Sequence, residues 1–353
     1  MHTSPFEWRR LLTGCLNGPG PSTTTFGAAT YRYSGMAHIA HSASDEVTNR
    51  PRPGHNWPVR VSIVGLGLIG GSIARALHER NGPGRWHVTA WSRSAAPVRK
   101  ALADGAVDVA AATLEEAVRD AEIVILAAPP LACLDLVGQL SGPMRGAVSD
   151  DCTVTDVASA KARIVARADA AGLSFIGGHP MAGREVSGYG AAMPDLFVDR
   201  PWVTVIGRYA RLCDGERIGE LIEACGAIQV PMDAVAHDNA VAAISHMPLI
   251  VSAALAEAVA GGPREYEHED WRAAEALAAT GWAGMTRLAR GDPAMGAGIA
   301  ATNSAAIAVR LRDVRAAIDE WIAELERDGG PDSEALLARF TSARRRLADP
   351  ARE

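Results

Sequence analysis

The chain has 353 residues, 48% hydrophobic and 22% charged, which is apolar material for a sizeable core and for more than one domain. A formal net charge of -6, with no Lys/Arg stripe interleaved with aromatics, argues against a nucleic-acid partner. Gly, Pro or charge interrupts every apolar run before membrane length, so no bilayer span is expected.

Residues 1–57 are rich in Gly, Pro, Ser, Thr and Asn and keep neither helical nor strand periodicity, so a disordered arm is expected there. Phe6 to Leu16 suits a short helix, and Arg9 and Arg10 with the Ser/Thr content leave an organellar address as the minority reading. Met36 is a second candidate for the start of translation. From Val59 the texture changes to short β-branched runs alternating with Ala-rich segments, the pattern of a doubly wound parallel α/β sheet. Strands are expected at Val59–Val64, His87–Trp91, Ile123–Ala127, Thr153–Val157, Ser174–Ile176 and Trp202–Ile206, with a first helix at Ile69–Arg80. Beyond about Gly207 the strand signal fades, and His237–Ala260, Glu269–Thr280 and Ala297–Glu326 suit long helices. The expected division is therefore 1–57 arm, 58–207 dinucleotide-binding domain, 208–330 helical domain and 331–353 helical tail. The helical part carries more apolar positions than one thin layer can hide, which suggests an interface between two copies. Arg312 with Arg315, and Arg344 to Arg346, suit solvated helix faces. Cys15, Cys133, Cys152, Cys213 and Cys225 are scattered and form no CxxC pair, which suits packing in a reducing cytoplasm and neither a disulfide framework nor a metal site.

Two short runs carry chemistry. The loop Gly65-Leu66-Gly67-Leu68-Ile69-Gly70 directly follows an expected strand and opens an expected helix, the context in which GxGxxG holds a dinucleotide pyrophosphate. Gly65 permits the tight turn, Gly67 lets backbone approach the phosphates, and Gly70 lets helix and sheet sit close. At the end of the second strand, where an acidic residue would grip a ribose hydroxyl and repel a 2'-phosphate, the chain has Ser92-Arg93. NADP is therefore favoured over NAD; a plain surface arginine with both cofactors accepted is the other reading. The second run, Gly177-Gly178-His179-Pro180-Met181-Ala182-Gly183, puts an imidazole at the carboxyl end of the sheet, where it can accept a hydroxyl proton as hydride leaves the same carbon. A histidine that only caps a loop is its bland alternative.

The ordered motifs resemble the prephenate and arogenate dehydrogenases of tyrosine biosynthesis. The resemblance runs from Val59 to about Ile322 through the glycine loop, Val154-Thr155-Asp156-Val157-Ala158-Ser159-Ala160-Lys161 and the histidine turn with Glu185 and Ser187-Gly188 behind it. It continues through His237-Asp238, Ser245-His246-Met247-Pro248, and Thr286-Arg287 leading to Gly291-Asp292-Pro293. It implies a Rossmann domain followed by an all-α dimerisation domain, a homodimer, a small-molecule substrate and no metal. His179 matches the family's catalytic base and Ser159 the serine that bonds the same hydroxyl. Arg287 matches the arginine that holds a substrate carboxylate, and His246 a histidine lining the substrate pocket. Leu68, Ile69, Ala128, Pro129 and Asp156 join Gly65, Gly67, Gly70, Ser92 and Arg93 as expected cofactor contacts, and Glu185 and Arg184 join the substrate contacts.

Departures from the family pattern bear on substrate choice. Many prephenate-using members carry a histidine where this chain has Leu249, and the run to Leu255, Ala300 to Asn303 and Ser92-Arg93 look most similar to cyanobacterial NADP-dependent arogenate dehydrogenases. Arogenate carries an ammonium where prephenate carries a keto group, so losing a group that can be cationic suits arogenate. Arg184 stands where the family often has Thr, with Glu185, Asp195 or a substrate carboxylate as its partner, and Gly284 where some relatives carry Asp. The implied function is oxidative decarboxylation of arogenate with NADP; prephenate dehydrogenase with either cofactor is the alternative. A β-hydroxyacid dehydrogenase would need a lysine in the helical part, and none follows Lys161. From another class, a catalytically silent dinucleotide sensor would have no need of Ser159, His179, His246 and Arg287 together.

Overall fold

The computed structural model describes residues 58–82, 84–261 and 271–347; the expectations for residues 1–57, including Cys15 and the Met36 start, lie outside them. Strand and helix alternate from the start: β1 (Val59–Val64), α1 (Leu68–Glu79), β2 (Trp86–Trp91), α2 (Ala95–Ala103), β3 (Val109–Ala110), α3 (Leu114–Val118), β4 (Ile123–Leu126), α4 (Pro130–Ser141), β5 (Thr153–Asp156), α5 (Ala162–Ala170) and β6 (Phe175–Pro180). These strands run parallel in the order β3-β2-β1-β4-β5-β6. The chain winds outward from β1 to β3 and returns on the other side of β1 to β4, so the switch point lies at the carboxyl ends of β1 and β4. The central strand β4 is buried on both faces, which is why it is a continuous apolar run with no polar alternation. Ile123 and Ile125 pack with Ile63, Ile73 and Leu77 on one face, while Val124 and Leu126 pack with Val64, Val137 and Leu140 on the other.

The sheet departs from expectation at its far side. β7 (Pro201–Ile206) pairs antiparallel with β6, and α6 (Leu212–Ala224) leads to β8 (Ile228–Pro231), parallel to β7. The pairing is antiparallel there because the link from β6 to β7 holds only the 3-10 turn Tyr189–Ala191, with no crossover helix to return the chain for a parallel strand. Sheet structure also continues past Gly207, where it was expected to end. β8 is a short edge strand with mostly exposed residues, so it lacks the apolar signature of the inner strands.

Beyond it come α7 (Ala234–Val241), a π-helical turn (Ala242–His246) and α8 (Met247–Ala260), then α9 (Trp271–Ala276), α10 (Thr280–Met285), α11 (Pro293–Thr302), α12 (Ser304–Leu325) and α13 (Ser333–Leu347). α7, the π turn and α8 form one helix of 27 residues that is apolar and long enough to cross a membrane by length and composition, contrary to the expectation that no run reaches that length. Polarity along it is sparse and concentrated at a few positions. The buried ones, His237, Asp238, His246 and Ser252, face neighbouring elements. The two expected helices Glu269–Thr280 and Ala297–Glu326 are each broken. The second is interrupted at Asn303, whose backbone leaves the helical region at φ -123, ψ 29. The helical part sits on α4 and α5: Gly298 lies against Pro130, where an added Cβ would stand 3.1 Å from Cδ, and Arg163 donates to the Ala301 carbonyl at 2.8 Å.

Among the described cysteines, Cys133, Cys152 and Cys225 are buried and their thiols are pushed up to about 12 by burial, which makes them packing residues; Cys213 is exposed.

Candidate active site

The glycine loop closes tightly at both ends and opens in the middle. Gly65 has φ +104, and a Cβ there would lie 2.3 Å from the Ala127 carbonyl; a Cβ on Gly70 would lie 2.1 Å from the Gly65 carbonyl. Around Gly67 nothing lies within 4 Å of a built Cβ. Gly67 is also the N-cap of α1, and no side chain caps that helix. Uncapped N–H groups and open space above them are what a dinucleotide pyrophosphate needs, so these residues fit such a group.

Gly67, Leu68 and Ile69 form one wall of a cleft of about 740 Å³. Ala128 and Pro129 after β4, Ser159 after β5 and His179 on β6 line it too, with Arg184, Glu185 and Leu249. Gly65 and Gly70 are not among the residues that line it. Ser92 is half-buried and Arg93 exposed just beyond β2, outside the cleft lining. Asp156, expected to contact the cofactor, is fully buried: its carboxylate pairs with the buried Lys161 ammonium and accepts the Ala158 N–H at 3.0 Å and the Gly178 N–H at 3.2 Å. It braces the strand that carries His179.

His179 belongs to β6 itself, where it pairs with Val203, and is 8% exposed. Its Nδ1 lies 2.8 Å from His237 Nε2, and His237 Nδ1 lies 2.8 Å from Asp238 Oδ1. Asp238 further accepts the backbone N–H groups of Lys161 at 2.7 Å and Ala162 at 2.9 Å. Burial would raise the Asp238 carboxyl, but hydrogen bonds from His237 and these two amides outweigh it and hold the group below the usual carboxylate range. Burial first, then the neighbouring His237, Lys161 and His246, depresses His179 well below the ordinary histidine value. At neutral pH it is therefore an uncharged base.

His246 stands on the π turn, fully buried and depressed to about 4 by burial. Asn303 Nδ2 lies 3.0 Å from its Nδ1 and donates at 2.7 Å to the Asp238 carbonyl. Arg287 and Glu185 form an ion pair at the mouth of the cleft, both substantially exposed. Arg184 instead donates to Met193 Sδ at 3.2 Å. Sequence reasoning gave His237, Asn303 and Arg290 no role at the site. His237-Asp238 is visible as a dipeptide, and the break at Asn303 has no periodicity signal in an Ala-rich run. Arg290 lines the cleft beside Asp292, which N-caps α11. Among the described residues no group of His, Cys, Asp and Glu is arranged to hold a metal.

Residues 73–227 match the family model described as the prephenate dehydrogenase nucleotide-binding domain, and residues 233–341 match the prephenate dehydrogenase dimerization domain. The prephenate dehydrogenase of Bacillus subtilis (strain 168) is 32% identical over 270 residues, covering 76% of this chain and 68% of the relative. The chain belongs to the prephenate dehydrogenase family. Among solved structures, Synechocystis arogenate dehydrogenase is 31% identical with a TM-score of 0.64, covering 82% of this chain and 100% of that one. The A. aeolicus prephenate dehydrogenase, in complex with hydroxyphenyl propionate and NAD+, superposes with a TM-score of 0.70 over 82% of this chain and 98% of its own, at 22% identity; that likeness concerns the fold. As a member of the prephenate dehydrogenase family the protein is an NAD(P)-dependent oxidoreductase with a nucleotide-binding domain.

Proposed function

We propose that the protein converts arogenate to tyrosine by oxidative decarboxylation, with NADP as hydride acceptor, as a homodimer. The observation that carries the reading is His179: a buried, uncharged imidazole on the wall of a cleft whose opposite wall is the glycine loop. Leu249 in the lining, where many prephenate-using members carry a histidine, supports arogenate. Ser92-Arg93 beyond β2 supports NADP.

When bound, the dinucleotide supplies the nicotinamide that accepts hydride from C4. His179 accepts the proton of the C4 hydroxyl as that carbon becomes carbonyl-like, and Ser159, half-buried in the same wall, bonds the hydroxyl oxygen. Arg287 can grip a substrate carboxylate with its planar fork, exchanging Glu185 for it. The bond from C1 to its carboxylate breaks, carbon dioxide leaves, the electron pair moves through the ring to the C4 oxygen to complete the aromatic system, and that oxygen takes back the proton held by His179. Apolar cleft residues such as Val157, Leu249 and Met295 limit water around the reacting ring.

Support for two copies comes from the matched dimerization domain and from the apolar residues left exposed on the helical part, among them Ile244, Ile318, Leu337 and Phe340. The reading is tested with purified protein, arogenate or prephenate, and NADP+ or NAD+, following the reduced cofactor. The highest kcat/KM is expected for arogenate with NADP+. A higher value with prephenate, the activity named for the Bacillus relative, transfers the assignment to prephenate; no reduction in any pairing removes the enzymatic reading. His179→Asn is expected to lower kcat by about 10² to 10⁴ while NADP+ affinity stays within about threefold.

A further inference from the structure

We infer that His237, anchored by Asp238, is a positioning residue that fixes which nitrogen of His179 carries the proton, and so makes His179 able to accept one from the substrate. The inference rests on the reading of His179 as the base and adds what makes it one.

The chain of hydrogen bonds admits one assignment with uncharged imidazoles. Asp238 accepts a backbone N–H on each oxygen and its carboxyl is held below the usual range, so it is ionised and only accepts. His237 Nδ1, 2.8 Å from Oδ1, must therefore carry hydrogen. A neutral imidazole has a single N–H, which leaves His237 Nε2 as a lone pair facing His179 Nδ1 at 2.8 Å. His179 Nδ1 must then be the donor, and the nitrogen left bare is Nε2. The free histidine side chain favours the opposite form, with hydrogen on Nε2, which would present a donor where catalysis needs an acceptor. The rings meet edge to face, 79° apart with centroids 5.1 Å apart, so the link is an in-plane hydrogen bond and not a stack.

The same arrangement eases the charge that arrives. A proton on His179 Nε2 creates an imidazolium at a site 8% exposed, with the Lys161 ammonium nearby on the β5–α5 segment. Lys161 is neutralised by Asp156, and His246 on the π turn is uncharged at neutral pH. Asp238, reached through His237, is the anion that stands opposite the new charge. It cannot swing away, because its two oxygens also hold the start of α5.

The test uses the full-length protein, His237→Phe and His237→Gln. Phenylalanine keeps the ring volume and removes both nitrogens; glutamine returns an oxygen that can accept the His179 Nδ1–H. Nitrogen-15 spectra of the ring nitrogens are expected to show His179 protonated on Nδ1 in the native protein and on Nε2 in His237→Phe. With the preferred substrate, His237→Phe is expected to lower kcat by about 10² to 10³, while substrate KM and NADP+ affinity stay within about threefold. His237→Gln is expected to recover at least about tenfold of that loss. A native His179 protonated on Nε2, or a His237→Phe kcat within about threefold of native, overturns the inference. If His237→Phe does not fold, the native spectrum and the glutamine variant decide it. Should the native protein turn over neither arogenate nor prephenate, the proposed function falls, and the native spectrum still decides the protonation state.

Discussion

Lys161 has no exposed side-chain surface, yet its ammonium is bound to the equally buried Asp156. Removing one partner of such a pair strands the other charge, so Lys161→Met is expected to lower unfolding free energy by about 3–5 kcal/mol, read as a drop in the denaturant midpoint. A midpoint unchanged from native would mean that the pair does not brace β6. His246 adds a pH dependence. Its folded value near 4 lies below the 6.5 of an unfolded histidine, so the unfolded state binds the proton first. Stability attached to His246 is thus fully present above pH 6.5 and is lost as pH falls toward 4. At about 1.4 kcal/mol per unit the loss is on the order of 3 kcal/mol, and His246→Gln is expected to flatten that part of a stability-versus-pH curve measured by urea unfolding. The roles of these residues differ in how far the chain betrays them. Gly65, Gly67, Gly70 and His179 announce themselves because backbone sterics and ring chemistry are local properties. Asp156 was expected at the cofactor; its bonds to Lys161 and to the Gly178 amide of the neighbouring β6 were not legible, because these partners are brought to it only by the fold.

At the scale of elements, the inner strands were legible because they are rich in β-branched residues and largely buried, whereas β3 has two residues and β8 is an exposed edge. His179 was expected in a turn and lies in the second half of β6. Glycine and proline are strand breakers in isolation, but here Gly178 must be small: a Cβ would stand 2.5 Å from the Asp156 carbonyl. Ala297 to Glu326 suits a single helix by periodicity, and what divides it is the tertiary demand on the Asn303 side chain by Asp238 and His246. Asn303→Ala is therefore expected to cost about 1–3 kcal/mol in thermal or chemical unfolding, since it unsatisfies buried partners and favours an unbroken helix. The junction of β1 and α1 gives a sharper expectation. Gly70→Ala drives a methyl into the Gly65 carbonyl, and fluorescence titration should find NADP+ affinity down by tenfold or more, on the order of 1.4 kcal/mol. Retained affinity would show that helix and loop can move apart without losing the phosphate site.

For the molecule as a whole, the sheet and the helical part meet at one cleft: the sheet side supplies the glycine loop and His179, and the helical part supplies Leu249 and Arg290 to the lining and His237 behind His179. Neither half holds the proposed chemistry alone. The exposed apolar side chains of α12 and α13 lead to an assembly test: sedimentation velocity should give twice the chain mass, and Ile318→Glu with Leu337→Glu should shift the population toward single chains. A native protein that sediments as one chain at micromolar concentration would remove the homodimer from the proposal. The π turn has a separate consequence. In an α-helix each residue advances the side-chain direction by about 100°, so one surplus residue between His237 and His246 rotates the second without moving the first. The helix thus carries two histidines whose phases are set independently. Changes of length within Ala242–His246 can re-aim His246 while His237 keeps its bearing.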